Sequence, residues 1–154
     1  MIADIDLMHL EEQLGRPPYP PARIVCRCSA GRPVVVEQPA TTPDGEPFPT
    51  AYWLCCPGLI RSVSDLESAG GVRALEESIA EDEELAAVFD EARERHRALR
   101  PEYALGIGGV RSERAVKCLH AHVAFALAAP PYAIGATLLA EAGGIPTTCC
   151  MEPA

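Results

Sequence analysis

The spacing of apolar positions changes period along the chain, and each change predicts an element. Ile5, Leu7, Met8, Leu10 and Leu14 recur at a loose helical spacing that Asp4 can cap and that Gly15 with Pro17-Pro18 ends. Beyond a linker from Arg16 to Pro21, the runs Ala22 to Cys28 and Pro33 to Gln38 are rich in Val and Ile. They are divided by Ser29-Ala30-Gly31-Arg32, the pattern of a β-hairpin. A proline-rich loop over residues 39–49 turns at Asp44-Gly45, and Thr50 to Cys55 predicts a third strand. Helical spacing then returns. Pro57 suits the first turn of a helix whose apolar stripe is Leu59, Ile60, Val63 and Leu66, with Gly70-Gly71 as its stop.

A short helix over Val72 to Ala80 is expected next, then a longer one capped by Asp82, with Glu83 and Glu84 at the positive end of the helix dipole. The later half of that helix, Glu91 to Arg100, reads as a solvated face of paired charges, and His96 within it is assigned no chemistry. A glycine loop over Gly106 to Gly109 leads into a strongly apolar helix from about Ser112 to Ala129, and a last helix over Tyr132 to Ala142 follows. The pattern predicts an α+β fold, a small antiparallel sheet of about three strands packed against a bundle of about five helices. Residues 1–143 form a single domain in this reading, and residues 144–154 a flexible C-terminal tail.

Composition narrows the partners. The formal net charge of -9 repels nucleic acid phosphates and anionic lipid surfaces, so neither nucleic acid nor membrane is an expected partner. No uncharged apolar stretch approaches the roughly 20 residues of a membrane span. The acidic N-terminus lacks the basic start and apolar run of a secretory signal, which predicts a cytoplasmic protein. Seven cysteines in a reducing compartment argue against a disulfide framework and toward metal ligands or buried thiols.

Four groups carry candidate chemistry: Cys26 with Cys28, Cys55 with Cys56, Cys118 with His120 and His122, and Cys149 with Cys150. A tetrahedral zinc site, or an iron-sulfur cluster, can be assembled from a hairpin cysteine, a junction cysteine and a Cys/His pair on a helix. The competing reading is that the thiols pack as small hydrophobes. Residues four apart share a helix face, so Cys118 pairs naturally with His122; for His120 to join Cys118 the helix must start later or bend. Lys117 is the sole lysine beside twelve arginines, and next to Cys118 its ammonium favours a thiolate. Arg111, Arg114 and Lys117, following the glycine loop, form a candidate site for a phosphate or carboxylate.

Four stretches carry a resemblance: Arg27-Cys28, Asp44-Gly45-Glu46-Pro47-Phe48-Pro49-Thr50, Tyr52-Trp53-Leu54-Cys55-Cys56-Pro57 and Val116-Lys117-Cys118-Leu119-His120. Over roughly residues 5–140 the chain resembles the bacterial family catalogued as domain of unknown function 501. The resemblance implies metal ligands at Cys28, Cys56, Cys118 and His120. Many members carry a further histidine where this chain has Phe125, and His122 on the same helical face is its substitute. The family implies no reaction.

The functional expectation is a metal site, zinc or an iron-sulfur cluster, joining the sheet to the helix of Cys118. Four protein ligands make such a site structural. Three ligands and a water make it a metal-dependent hydrolase, with Arg111, Arg114 and Lys117 holding an anionic small molecule. A non-catalytic module that binds a protein partner through its acidic surface and its proline-rich loop is the third reading.

Overall fold

A computed structural model describes residues 1–100, 105–110 and 112–151 of the chain. The elements run α1 (Asp4–Leu14), β1 (Arg23–Arg27), β2 (Pro33–Glu37), β3 (Tyr52–Leu54), α2 (Pro57–Ser68), α3 (Gly71–Glu81), α4 (Glu83–Leu99), α5 (Leu119–Ala128) and α6 (Ala133–Glu141). The three strands form one antiparallel sheet in the order β1-β2-β3, as the hydrophobic pattern predicts, and the described residues add six helices, of which α1 and α5 pack on the sheet.

The sheet is covered on both faces, which is why β2 is buried along Val34, Val35 and Val36 and does not alternate. On one side Val36 packs with Leu10 of α1 and with Cys55, while Ile24 and Trp53 close the edge of this small cluster. On the other side Val35, Tyr52 and Leu54 join the main core, to which α5 contributes Leu119, Val123, Ala124 and Phe125. Burying side chains of this kind stabilises the fold by about 2 kcal/mol each. Arg27 clamps α1 to the hairpin through two hydrogen bonds to the Asp6 carboxylate, at 2.6 and 2.9 Å. That guanidinium outweighs the effect of burial and lowers the Asp6 pKa.

Pro57 opens α2 as expected, and the Asp82 side chain accepts hydrogen bonds from the amides of Glu84 and Leu85 at the start of α4. Asp4 does not cap α1: Ala3 occupies that position and makes no side-chain bond, and Asp4 lies in the first turn. The later half of α4 is solvated on one side only, where Glu91 pairs with Arg95 and Glu94 with Arg97. Arg93 and His96 on its other side, and Arg100 at its C-cap, are buried; Arg100 donates to the Phe48 carbonyl, and His96 Nε2 accepts the Ala51 amide at 3.0 Å. Burial, with the Arg100 charge behind it, depresses the His96 pKa to about 4.

The helix expected from Ser112 begins only at Leu119. Lys117 sits at φ 63, and the Cys118 amide turns back to the Val116 carbonyl at 2.8 Å, so the backbone enters α5 through a tight turn. Helices α5 and α6 meet at Gly135, where a Cβ would stand 2.3 Å from the His122 carbonyl oxygen; only glycine permits so close an approach. No single helix among the described residues is long and apolar enough to cross a membrane.

Candidate metal centre

Cys118 is the N-cap of α5, in extended conformation, with no side-chain capping bond of its own. The helix N-terminus is capped from outside: the Leu119 amide donates to Glu67 of α2 at 3.0 Å. The other oxygen of that carboxylate lies 3.0 Å from Nδ1 of His120. Cys118, His120 and Glu67 therefore converge, and their ligand atoms all lie within 4.8 Å of one another. Among the described residues no other set of Cys, His, Asp or Glu is so tightly gathered.

The imidazole is oriented from behind. Nε2 of His120 lies 3.2 Å from the Ile60 carbonyl and 3.1 Å from the Ser64 hydroxyl. A carbonyl only accepts, so Nε2 carries a hydrogen, and Nδ1 is left facing a carboxylate and a thiol. A bare lone pair there would repel the Glu67 oxygen, so the arrangement calls for a cation between them, either a proton or a metal ion. The His120 pKa is accordingly raised, by the Cys118 sulfur first, against the opposing effect of burial, and then by the Ile60 carbonyl and the Glu67 charge. The donor set fits a metal ion: one thiol, one imidazole whose far nitrogen is held by a backbone carbonyl, and one carboxylate fixed by a backbone amide.

The group opens onto a pocket of about 360 Å³. Tyr52, Trp53 and Leu54 wall it from β3, Thr50 from the loop before that strand, Gly108 and Gly109 from the glycine loop, and Lys117 with Ala121 from the α5 side. Lys117 reaches across this opening, its Nζ donating to the Gly109 carbonyl at 3.1 Å.

The residues singled out from the sequence divide between several places. Cys118, His120 and Lys117 line the pocket. Arg114 does not; it pairs with Asp90 of α4 at 2.9 Å. Arg111 lies outside the described residues. His122 points into the core, stacking on Phe89 and hydrogen-bonding the Tyr132 hydroxyl through Nδ1 at 2.7 Å. It does not share the Cys118 group, because the late helix start puts Cys118 off the helical face that His122 follows. Burial holds the His122 pKa down at about 4.

Cys28 and Cys56 also stand apart from Cys118 and His120, lining a separate small void with Cys149 and Cys150. Burial pushes the Cys56 pKa up to about 11. Cys28 is also partly buried, yet the amides of Ala30 and Arg32 and the Cys149 thiol more than compensate and lower its pKa. The segment after α6 is set against the hairpin here, with the Thr147 carbonyl accepting from the Ser29 hydroxyl at 3.0 Å.

The family described as "Protein of unknown function (DUF501)" matches residues 24–105 and 101–140. The chain belongs to this family. No curated protein and no solved structure matches it. The region matched to DUF501 holds Glu67, Cys118, His120, Cys28 and Cys56, whereas Cys149 and Cys150 lie beyond it.

Glu67 is the member of this cluster that the sequence reading missed. Its signal was present, since Ile60, Ser64 and Glu67 recur at four and three residues and so share one face of α2. With Ile60 counted in the apolar stripe, Ser64 and Glu67 looked no different from the polar border of any amphipathic helix.

Proposed function

We propose that Glu67, Cys118 and His120 hold a zinc ion at the wall of the Thr50–Lys117 pocket, and that the centre hydrolyses an anionic small molecule in the cytosol. The observation that carries the reading is His120 itself. Its Nε2 is engaged by the Ile60 carbonyl, and its Nδ1 is aimed at the Glu67 carboxylate and the Cys118 sulfur beside an open pocket.

Three protein ligands with open space beside them are the arrangement of catalytic zinc sites, whereas structural sites close with four. A set with a single thiolate suits zinc better than an iron-sulfur cluster, which takes its ligands mainly from cysteines. A zinc ion so held supplies Lewis acidity to a carbonyl or phosphoryl oxygen. The chain supplies the rest. Lys117 offers an ammonium to an anionic group, Trp53 and Leu54 keep the opposite wall apolar, and Ser64 with Ile60 fixes the imidazole. Reduced thiols, as in the cytosol, are a condition of this site.

The raised His120 pKa favours a second reading, in which a proton takes the metal's place and Cys118 acts as a thiolate nucleophile paired with imidazolium. One experiment separates the two. Protein purified without oxygen is assayed for zinc and for hydrolysis of 4-nitrophenyl phosphate and 4-nitrophenyl acetate, alongside Cys118→Ser. Loss of about one zinc equivalent together with hydrolysis supports the metal centre. Unchanged zinc content in the folded variant, with rapid alkylation of Cys118 in the parent protein, sinks it in favour of the thiolate.

A further inference from the structure

Cys28, Cys56, Cys149 and Cys150 come from three distant parts of the chain: the hairpin turn, the N-cap of α2 and the segment after α6. All four line one void of about 10 Å³. That is room for a single ion or water-sized body and excludes an organic ligand. The sulfurs meet in two pairs. Cys56 Sγ lies 3.7 Å from Cys150 Sγ, and Cys149 lines the void with Cys28, where its thiol helps to lower the Cys28 pKa. Four thiolates about 2.3 Å from a central zinc ion stand about 3.8 Å apart along each edge of their tetrahedron. The Cys56–Cys150 separation is such an edge, and far longer than the roughly 2.0 Å of a disulfide.

Backbone amides are aimed at the sulfurs. Those of Ala30 and Arg32 serve Cys28, those of Leu59 and Gly58 serve Cys56, and Gly58 also donates to Cys150 at 3.4 Å. Amide donors of this kind stabilise negative sulfur and orient thiolate ligands. Core packing does not account for the group, because Cys150 is solvent-exposed and yet directed at Cys56. Gly58 makes the approach feasible: a Cβ there would stand 3.1 Å from the Cys150 Cβ. Arg32 lines the same void and offsets part of the charge of four thiolates.

We propose that Cys28, Cys56, Cys149 and Cys150 form a second, structural zinc site that fastens the segment after α6 to the hairpin and to α2. No three of the four sulfurs lie within 4.8 Å of one another, so binding draws the two pairs together. The site is independent of the Cys118 centre, with which it shares no ligand.

The test is zinc analysis on the full chain purified without oxygen, in the parent, in Cys118→Ser and in a Cys149→Ser/Cys150→Ser double variant. The expected result is about two zinc ions per chain in the parent and about one in each variant. Cobalt(II) loaded into Cys118→Ser is expected to show intense thiolate-to-metal charge transfer, and a chelator to expose residues 144–151 to proteolysis. If only the double variant loses zinc, the second site stands and the Cys118 centre fails. If the double variant keeps the parent's zinc, the second site is overturned whatever Cys118→Ser shows. A Cys56–Cys150 disulfide in metal-free parent protein, or an iron-sulfur chromophore lost in the double variant, overturns it as well.

Discussion

His120 and His122 stand two residues apart on α5 and occupy opposite surroundings. His120 faces a half-open pocket and is held by a carbonyl, a hydroxyl and a carboxylate. His122 is sealed between Phe89 and Tyr132 with no exposed surface. Their pKa shifts run in opposite directions, up for His120 and down to about 4 for His122. Residue type alone therefore assigns no role on this helix. The imidazole surrounded by acceptors is a ligand candidate, and the one surrounded by rings is a packing element.

The sharpest way to break this contrast is to delete the core ring. His122→Ala removes the stack on Phe89 and the Tyr132 hydrogen bond, and is expected to cost about 3 kcal/mol in urea denaturation while leaving the zinc of the Cys118 centre in place. Zinc loss with unchanged stability would reverse the two assignments.

Acid is expected to weaken the buried histidines' side of the molecule. His96, on α4, accepts the Ala51 amide and has Arg100 as its charged neighbour. Its pKa is about 4 folded, against 6.5 for the free group. Between those values the unfolded chain binds more protons, so stability is full above about pH 6.5 and is lost progressively down to about pH 4, by roughly 3 kcal/mol. A His96→Gln variant, whose amide oxygen can still accept from Ala51, should show a flatter profile when denaturation midpoints at about pH 7 and about pH 4.5 are compared. An unchanged slope would mean that His96 is already protonated in the folded protein.

The smallest expected effect lies on the pocket side. Ser64→Ala removes one partner of His120 Nε2 but leaves the Ile60 carbonyl, and is expected to weaken zinc binding about tenfold in competition with a chromophoric chelator. Melting should shift little, since Ser64 is only partly buried.

The same contrast shows what was legible beforehand. Strands and most helices could be read because local period, capping and turn chemistry agreed, as at Asp82 and Pro57. The start of α5 could not. No proline or glycine marks residues 112–118, and the turn at Lys117 that places Cys118 beside His120 follows from long-range contacts to Gly109 and Glu67. A helix face drawn from Ser112 therefore paired Cys118 with the wrong histidine. The burial of Arg93, His96 and Arg100 was hidden for a related reason: Arg100 donates to backbone carbonyls, His96 Nε2 accepts an amide and Arg93 pairs with carboxylates, all brought in by folding, and a charged sequence looks the same whether water or protein answers it. The meeting of Cys28 and Cys56 with Cys149 and Cys150 depends on tertiary docking of a segment far along the chain, which local spacing does not encode.

Lys117 carries one further consequence, for how this protein tolerates change. It is the one described non-glycine residue with positive φ, a conformation that costs a side-chain-bearing residue of order 1 kcal/mol. A substitution library scored only for thermal stability should therefore favour glycine at position 117, and in doing so strip the pocket of the chain's sole lysine. Thermostabilisation and retention of the ammonium are opposed at this position, which makes it one to hold constant in any effort to harden the fold.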